Sequence, residues 1–187
     1  MTLSSIQLTD EELLLRPFRV GDAPLLYYAV NESLNELKPW MSWATDSYTE
    51  MTAWEYVTIA RARWEEHSFY GFAIMRGDDF LGACTLSSIH SLYRFCNLGY
   101  WVRTSMHGQG IAGRASRLVA RFAFEQLGLI RVEIVIGVGN QASLRVAEKL
   151  GAHDEGILLN RIVVGKSIYD AHMYSLVPAD FGLITRL

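Results

Sequence analysis

The stretch "HGQGIAGRASRLVARFAFEQLG", residues 107–128, decides the fold. A glycine-rich turn leads directly into a long apolar-faced pattern, which predicts a helix over residues 110–127 that ends at Gly128. Glycines let backbone N–H groups approach a phosphate closely. The first N–H groups of the helix have no partner within it and carry the positive end of its dipole. The stretch therefore predicts an anion site; the alternative is a tight turn that merely needs small residues.

The three glycines of this turn also imitate a dinucleotide-binding fingerprint. Gly108, Gly110 and Gly113 spell G-x-G-x-x-G, and Glu133 follows Gly113 by 20 residues. In a dinucleotide fold, however, the acid lies at the carboxyl end of the second strand, beside the phosphate turn. Glu133 lies near the start of "IRVEIVIGV", with roughly 16 Å of strand beyond it. No further βα units follow either, so the pattern argues against NAD.

The order of predicted elements gives the fold class. Seven strand patterns and four helix patterns alternate as β-α-α-β-β-β-α-β-α-β-β, with tight turns at Gly77-Asp78 and Gly165-Lys166. A run of hairpin strands precedes a β-α-β crossover, which predicts an α+β fold with a mixed, mostly antiparallel sheet. No linker or repeat interrupts residues 1–187, so we expect a single domain. Ser47 and Glu50 fit a capping box at the start of the second helix.

Bulk composition narrows the classes of protein. A net charge of −3 and a pI of about 5.9 give no reason to expect nucleic acid binding. No apolar run is long enough to span a bilayer and the start has no signal-peptide pattern, so we expect a cytoplasmic protein with no membrane partner. Cys84 and Cys96 are expected to be buried thiols rather than a disulfide.

Local charge is less even than the total. Residues 1–60 hold nine acids and three bases, whereas residues 103–131 hold five arginines and one acid. One segment is therefore suited to attract cations and the other anions, unless both are ordinary solvated surface.

Two signatures together carry a resemblance to a known family. The GNAT superfamily of N-acetyltransferases has the signature Gln/Arg-x-x-Gly-x-Gly/Ala, which matches His107 to Ala112, and a later Asn-x-x-Ser, which matches Asn140 and Ser143. "LGYWV" and "KPWMSW" are also similar to the RimJ/RimL group of ribosomal-protein N-terminal acetyltransferases. The resemblance covers essentially the whole chain. His107 departs from the pattern; its backbone amide still serves, but the side-chain contact of an arginine there is lost or weakened.

The resemblance implies a sheet with one parallel, splayed strand pair, and acetyl-CoA as co-substrate without a metal. The pantetheine arm would meet the main chain of Tyr100, Trp101 and Val102, between the two splayed strands. Asn140 would cap the next helix and contact a pantetheine amide, and Arg114 would reach a phosphate. The pyrophosphate would meet the turn residues His107, Gly108, Gln109, Gly110, Ile111, Ala112 and Gly113. A homodimer is possible because relatives often pair.

The resemblance also suggests catalytic groups. Ser143 is the candidate general acid for the leaving thiolate, although serine is also common at helix starts and Tyr169 or Tyr174 are alternatives. Glu133 is the candidate general base; the alternative is a structural ion pair with Arg131 or Arg161.

The acceptor is expected to meet aromatic and acidic residues of the first third of the chain. Trp40 and Trp43 would line a groove together with Tyr169, unless the two indoles are core. Acids there, including Glu32, Glu36 and Glu50, would attract a cationic amine. The predicted function is acetyl transfer to the amino terminus of a ribosomal or other protein or peptide. The alternatives are acetylation of a small amine, such as a polyamine, amino acid or antibiotic, and a catalytically weak acyl-CoA-binding domain.

Overall fold

A computed structural model describes residues 6–184 and contains one sheet of eight strands in the order β1-β2-β3-β4-β5-β6-β8-β7. The strands are β1 Leu8–Asp10, β2 Leu13–Pro17, β3 Tyr70–Arg76, β4 Asp79–His90, β5 Phe95–Val102, β6 Arg131–Gly137, β7 His153–Val164 and β8 Ser167–Leu176. The helices are α1 Ala23–Glu32, α2 Leu34–Leu37, α3 Glu50–Glu65, α4 Ile111–Glu125 and α5 Gln141–Leu150. Neighbouring strands are antiparallel except for β5 and β6.

The predicted α+β class and mixed sheet are confirmed, and the counts differ by one strand and one helix. The first strand predicted from sequence, "EELLLRPF", corresponds to β2, and the additional strand, β1, precedes it in a hairpin that turns at Glu11, whose φ of 28° is outside the extended region. The extra helix, α2, lies in a segment that the sequence left irregular.

The start of α3 also differs from the prediction. Thr49, not Ser47, is the N-cap, because its hydroxyl oxygen accepts the Thr52 N–H at 3.2 Å. The Thr49 N–H in turn donates to the Thr52 hydroxyl oxygen. Thr49 and Thr52 therefore form the capping box that the sequence pattern assigned to Ser47 and Glu50.

Helices cover both faces of the sheet. α4 and α5 pack on one face, where Ala115, Val119 and Phe122 of α4 are almost fully buried. α1 and α3 pack on the other, with Val30 and Val57 in a second core cluster. Burying each of the two α4 side chains Val119 and Phe122, and each of the valines of α1 and α3, stabilises the fold by about 1.5–3 kcal/mol, so both helix layers are firmly attached. Within residues 6–184, no helix is both long and apolar enough to cross a membrane.

The parallel pair is short. β5 and β6 pair only from Phe95 opposite Arg131 to Asn97 opposite Glu133. Beyond this point residues 98–102 and 134–137 diverge, and we call the space between them the β5–β6 gap. α4 follows β5 and α5 follows β6, so the amino ends of both helices adjoin this gap.

The position of the α3 cap yields a stability test. Thr49→Ala removes a side-chain acceptor for a helix N–H, so we expect it to lower the free energy of unfolding by about 1 kcal/mol. Ser47→Ala is the matched control, because within residues 6–184 the Ser47 hydroxyl has a hydrogen bond with Thr45 alone, and the substitution should change the free energy of unfolding by less than about 0.5 kcal/mol. Chemical denaturation measures both variants, and a larger loss for Ser47→Ala would contradict the assigned cap.

Candidate active site

The glycine turn has the geometry of an anion cradle. Gly108 and Gly110 have φ values of 80° and 72°, in the left-handed region where a Cβ is disfavoured. Gly110 is the N-cap of α4, so the N–H groups that follow it lie in the first turn and have no intrahelical acceptor. No acidic residue lies in that turn. Gly113 lies within the helix without a positive φ, so the third glycine of the apparent fingerprint is not needed for the shape of the turn.

Ion pairing and hydrogen bonds fix the segment that enters this turn. Arg103 forms an ion pair with Glu32 at the end of α1, and Ser105 donates its N–H to the same carboxylate at 2.9 Å. Thr104 donates its N–H to the Ser33 hydroxyl at 3.0 Å. The hydrogen bonds from Arg103, which has the largest effect, and from Ser105 lower the pKa of Glu32 to about 2. Glu32 is therefore occupied in holding the loop and is not a free carboxylate for an acceptor.

Along β5, the backbone N–H and C=O groups of every second residue point into the gap. Arg103 donates its N–H to the Leu81 carbonyl at 2.9 Å, and alternation along an antiparallel pair then directs the polar groups of Trp101 toward β4. The polar groups of Tyr100 and Val102 point into the gap. The Val102 carbonyl is contacted by His107 Nε2 at 2.9 Å. Of the three main-chain contacts expected from sequence, Tyr100 is thus the best placed and Trp101 the worst.

Ser143 lies where α5 begins, beside the ring of Tyr100. Asn140 caps α5 by accepting the Ser143 N–H at 3.1 Å. The Ser143 hydroxyl donates to Tyr100 Oη at 3.0 Å, and the Tyr100 hydroxyl donates to the Ser143 carbonyl at 3.1 Å. Burial raises the pKa of Tyr100 well above its usual value, so the phenol stays protonated. The Tyr100 side chain is a candidate functional group that the sequence did not reveal.

A cavity of about 800 Å³ connects these parts. It reaches from the glycine turn along the gap and the start of α5 to the segment around Trp40. All but one of the predicted cofactor-contacting residues line it, namely Tyr100, Trp101, Val102, His107, Gly108, Gly110, Ile111, Ala112, Gly113, Arg114, Asn140 and Ser143. The exception is Gln109, whose side chain accepts from Arg76 at 3.1 Å instead.

One side of the cavity is cationic. Arg114 and Arg117 of α4 line it together with Arg145 and Lys149 of α5. Arg114 also pairs with Asp10 at 2.7 Å, and the Arg117 guanidinium lies 5.0 Å from the ring centre of Phe181.

The two cations of α5 were missed from sequence, although a signal was available. Gln141, Arg145 and Lys149 are spaced four residues apart, which places them along one face of the helix. The pattern alone does not tell a solvated face from a cavity wall, so only the packing of α5 beside α4 gives these cations a role.

The other end of the cavity is apolar and carries one acid. Trp40 lines it and lies against Gly137, where an added Cβ would come within 3.2 Å of the indole. The ring of Tyr169 is behind Trp40, with ring centres 6.2 Å apart. Trp43 instead packs on Trp101, with ring centres 6.1 Å apart, and is not among the lining residues.

The carboxylate at this end belongs to Glu36, which accepts from the Thr104 hydroxyl at 3.1 Å. Of the three acids expected to attract an amine, Glu32 is ion-paired, Glu36 is exposed and lines the cavity, and Glu50, at the start of α3, is not among the lining residues.

Glu133 forms an ion pair at the closed end of the gap. It lies 2.9 Å from Arg131, which also holds Glu155 at 2.6 Å. Its side chain is only 19% exposed and is not among the lining residues of the cavity. The structure thus gives Glu133 the ion pair that was the alternative to a general base, and the base role stays a prediction. Tyr174, an alternative acid, is buried and also off the cavity lining.

Known proteins resemble this chain in sequence and in fold. The family model described as "Acetyltransferase (GNAT) domain" matches residues 12–153. A Bacillus subtilis protein named "Putative ribosomal N-acetyltransferase YdaF" is 25% identical over 177 residues, 92% of this chain and 94% of that protein. A solved Vibrio cholerae structure, described as "a putative ribosomal-protein-serine acetyltransferase", is 26% identical with a TM-score of 0.83, covering 95% and 100% of the two chains.

A further solved structure shows the shared fold alone. It is RimL, a ribosomal L7/L12 alpha-N-protein acetyltransferase in complex with coenzyme A. It is 20% identical with a TM-score of 0.86, and the match covers 92% of this chain and 98% of that one.

Because of the Glu32 ion pair, we expect the difference in stability between the wild type and a Glu32→Gln variant to depend on pH. The folded-state pKa of about 2 lies below the unfolded value near 4.5, so the stabilisation is present above pH ~4.5 and is lost as pH falls toward 2. Glu32→Gln should therefore lower the melting temperature most near pH 7, and the difference from the wild type should shrink toward pH 3. Thermal unfolding across this range measures it; a difference that stays constant would contradict the pair.

Proposed function

The chain belongs to the GNAT acetyltransferase family and is an acyltransferase, and from this premise we propose that it transfers acetyl from acetyl-CoA to the amino terminus of a protein. One observation carries the proposal. A single cavity joins the glycine turn, the unpaired β5–β6 gap and the start of α5 to an apolar end with one carboxylate. A donor site and an acceptor site therefore meet at Ser143 and Tyr100.

The donor half suits coenzyme A chemistry. The left-handed glycines and the free first-turn N–H groups of α4 fit a pyrophosphate. The cations Arg117, Arg145 and Lys149 suit the remaining phosphate. The pantetheine arm carries amides, which suit the unpaired backbone groups of Tyr100 in the gap. Coenzyme A binding in this form does not require the His107 side chain, which is hydrogen-bonded to the Val102 carbonyl.

The reaction is direct transfer from sulfur to nitrogen. A neutral amine attacks the thioester carbonyl, the N–C bond forms, and the C–S bond breaks with its electron pair remaining on sulfur. The amine loses one proton to solvent, and the thiolate takes one proton from solvent. Ser143 donates a hydrogen bond to the developing thiolate at the amino end of α5, where the helix dipole favours negative charge. The Tyr100 N–H is the best-placed donor for the thioester oxygen.

The acceptor half suits one amine on a largely uncharged chain. Glu36 is the only acid among the lining residues that the structure describes, and its neighbours there include Leu37, Pro39, Trp40 and Met41. A polyamine would need several carboxylates, whereas a peptide needs one for its amino terminus and apolar surface for its first side chains. The names of the relatives, which refer to ribosomal proteins, support a protein as acceptor.

An acceptor panel tests the amine class. We expect coenzyme A thiol release with a peptide that has a free amino terminus, and none with the same peptide N-acetylated and carrying a lysine. Spermidine should be a poor substrate. Glu36→Gln should raise the KM for the free peptide several-fold, because the attraction between carboxylate and ammonium is lost. Faster turnover of spermidine would favour a small-amine enzyme, and no release with any amine would favour an acyl-CoA-binding domain.

A glycine substitution tests the donor site. Gly110→Ala forces a Cβ into a left-handed position at the cradle, so the Kd of acetyl-CoA should rise about tenfold. Gly165→Ala is the matched control, because its φ of 59° imposes similar strain in the β7–β8 turn, away from the cavity. Calorimetric titration should show a changed Kd only for Gly110→Ala. Equal affinities in the two variants would contradict the cradle.

A further inference from the structure

We propose that the Tyr100 hydroxyl is a positioning residue for transfer, which holds the Ser143 hydroxyl beside the departing sulfur and strengthens it as a hydrogen-bond donor. This inference rests on the proposed function and deepens it. The observation behind it is the pair of hydrogen bonds that joins β5 to the first turn of α5 across the mouth of the gap. Both side chains line the cavity, and 43 residues of chain separate them.

Two hydrogen bonds join Tyr100 and Ser143 in the structure. The Ser143 hydroxyl donates to Tyr100 Oη at 3.0 Å, while the Tyr100 hydroxyl donates to the Ser143 carbonyl at 3.1 Å. The Ser143 N–H is bound to the Asn140 side chain. The Tyr100 ring packs against the core cluster beneath α4 and α5, so its hydroxyl has a fixed location. Asn140 and the Tyr100 hydroxyl therefore hold the backbone of Ser143, and the hydrogen bond to Tyr100 Oη fixes the rotamer of its side chain.

The same two hydroxyl groups permit a simple rearrangement during transfer. When negative charge develops on sulfur, the Ser143 O–H turns from Tyr100 toward the sulfur. The Tyr100 O–H then turns from the Ser143 carbonyl toward Ser143 Oγ. Each hydroxyl keeps one acceptor, and no proton changes its heavy atom. The second bond withdraws charge from Ser143 Oγ, which makes its O–H a better donor to the thiolate.

Tyr100 is suited to this task because it does not ionise. Burial in the core raises the pKa of the phenol, so it remains a donor throughout the pH range in which an amine can attack. The same burial excludes it as a general base. A phenol that stays protonated can strengthen a neighbouring hydroxyl without competing for the proton of the amine.

Kinetics of Tyr100→Phe test the role directly. We expect kcat to fall about tenfold while the KM for acetyl-CoA changes by less than about twofold, since the lost bond acts on the leaving group and not on binding. Tyr70→Phe is the matched control. Tyr70 is a buried tyrosine whose hydroxyl also has a side-chain hydrogen bond, with His67 at 3.0 Å, and it is not among the residues that line the cavity. An unchanged kcat, or a rise in KM alone, would overturn the proposal.

A double-mutant cycle separates positioning from an independent effect. If Tyr100 acts through Ser143, then Tyr100→Phe should change kcat by less than about twofold in a Ser143→Ala background. A tenfold loss that persists there would show that Tyr100 acts by itself and would overturn the inference. Thermal unfolding of the variants shows whether any loss of activity instead follows from a loss of folded protein.

A binding measurement keeps the inference testable if the acceptor has been assigned wrongly. Without any amine, the thiol of bound coenzyme A should ionise at lower pH in the wild type than in solution. In Tyr100→Phe its pKa should rise by about one unit, the equivalent of tenfold. The ultraviolet thiolate band reports it, and Cys84 and Cys96 do not interfere because burial raises the pKa of each to about 12. Equal thiol pKa values would overturn the inference; a shift without turnover would overturn only the proposed acceptor.

Discussion

The parallel pairing of β5 and β6 stops after three residue pairs, and the site depends on that early end. Buried backbone N–H and C=O groups need partners, so strands that diverge inside a sheet leave an unmet demand that a ligand can fill. Groups on both sides maintain the divergence. His107 occupies the Val102 carbonyl on β5, and the Trp40 indole lies against Gly137 on β6. Specific side-chain contacts therefore keep the two strands apart at the gap.

Charges of both signs line the same cavity. Cations come from α4 and α5, and one exposed carboxylate, that of Glu36, accepts a hydrogen bond from the Thr104 hydroxyl. Other charged residues of the same segments form ion pairs within the fold. Glu32 secures the segment before the glycine turn through Arg103, and Arg131 joins Glu133 to Glu155 at the closed end of the gap. The unevenly distributed charges of the sequence therefore include residues that line the cavity and residues that pair with one another within the fold.

Local patterns predicted most of the fold, and the misses also have local causes. Gly77 and Gly165 marked two hairpins because each has a positive φ, and Gly128 and Gly151 ended helices for the same reason. The β1–β2 hairpin was missed because Glu11 adopts a left-handed turn without being glycine. The cap of α3 was misplaced by two residues because Ser47 and Thr49 are both suitable capping residues, and only the backbone path decides between them.

The sequence by itself determined the α+β order, the glycine cradle, the Asn140 cap and the family, because each depends on residues close together in the chain. Only the tertiary structure decided the pairing of Tyr100 with Ser143, the entry of Arg145 and Lys149 into the cavity, and the ion pairing of Glu133. Those contacts depend on strand register and helix packing. A register shifted by one residue would turn the Tyr100 side chain to the opposite face of the sheet, and no local pattern fixes that register.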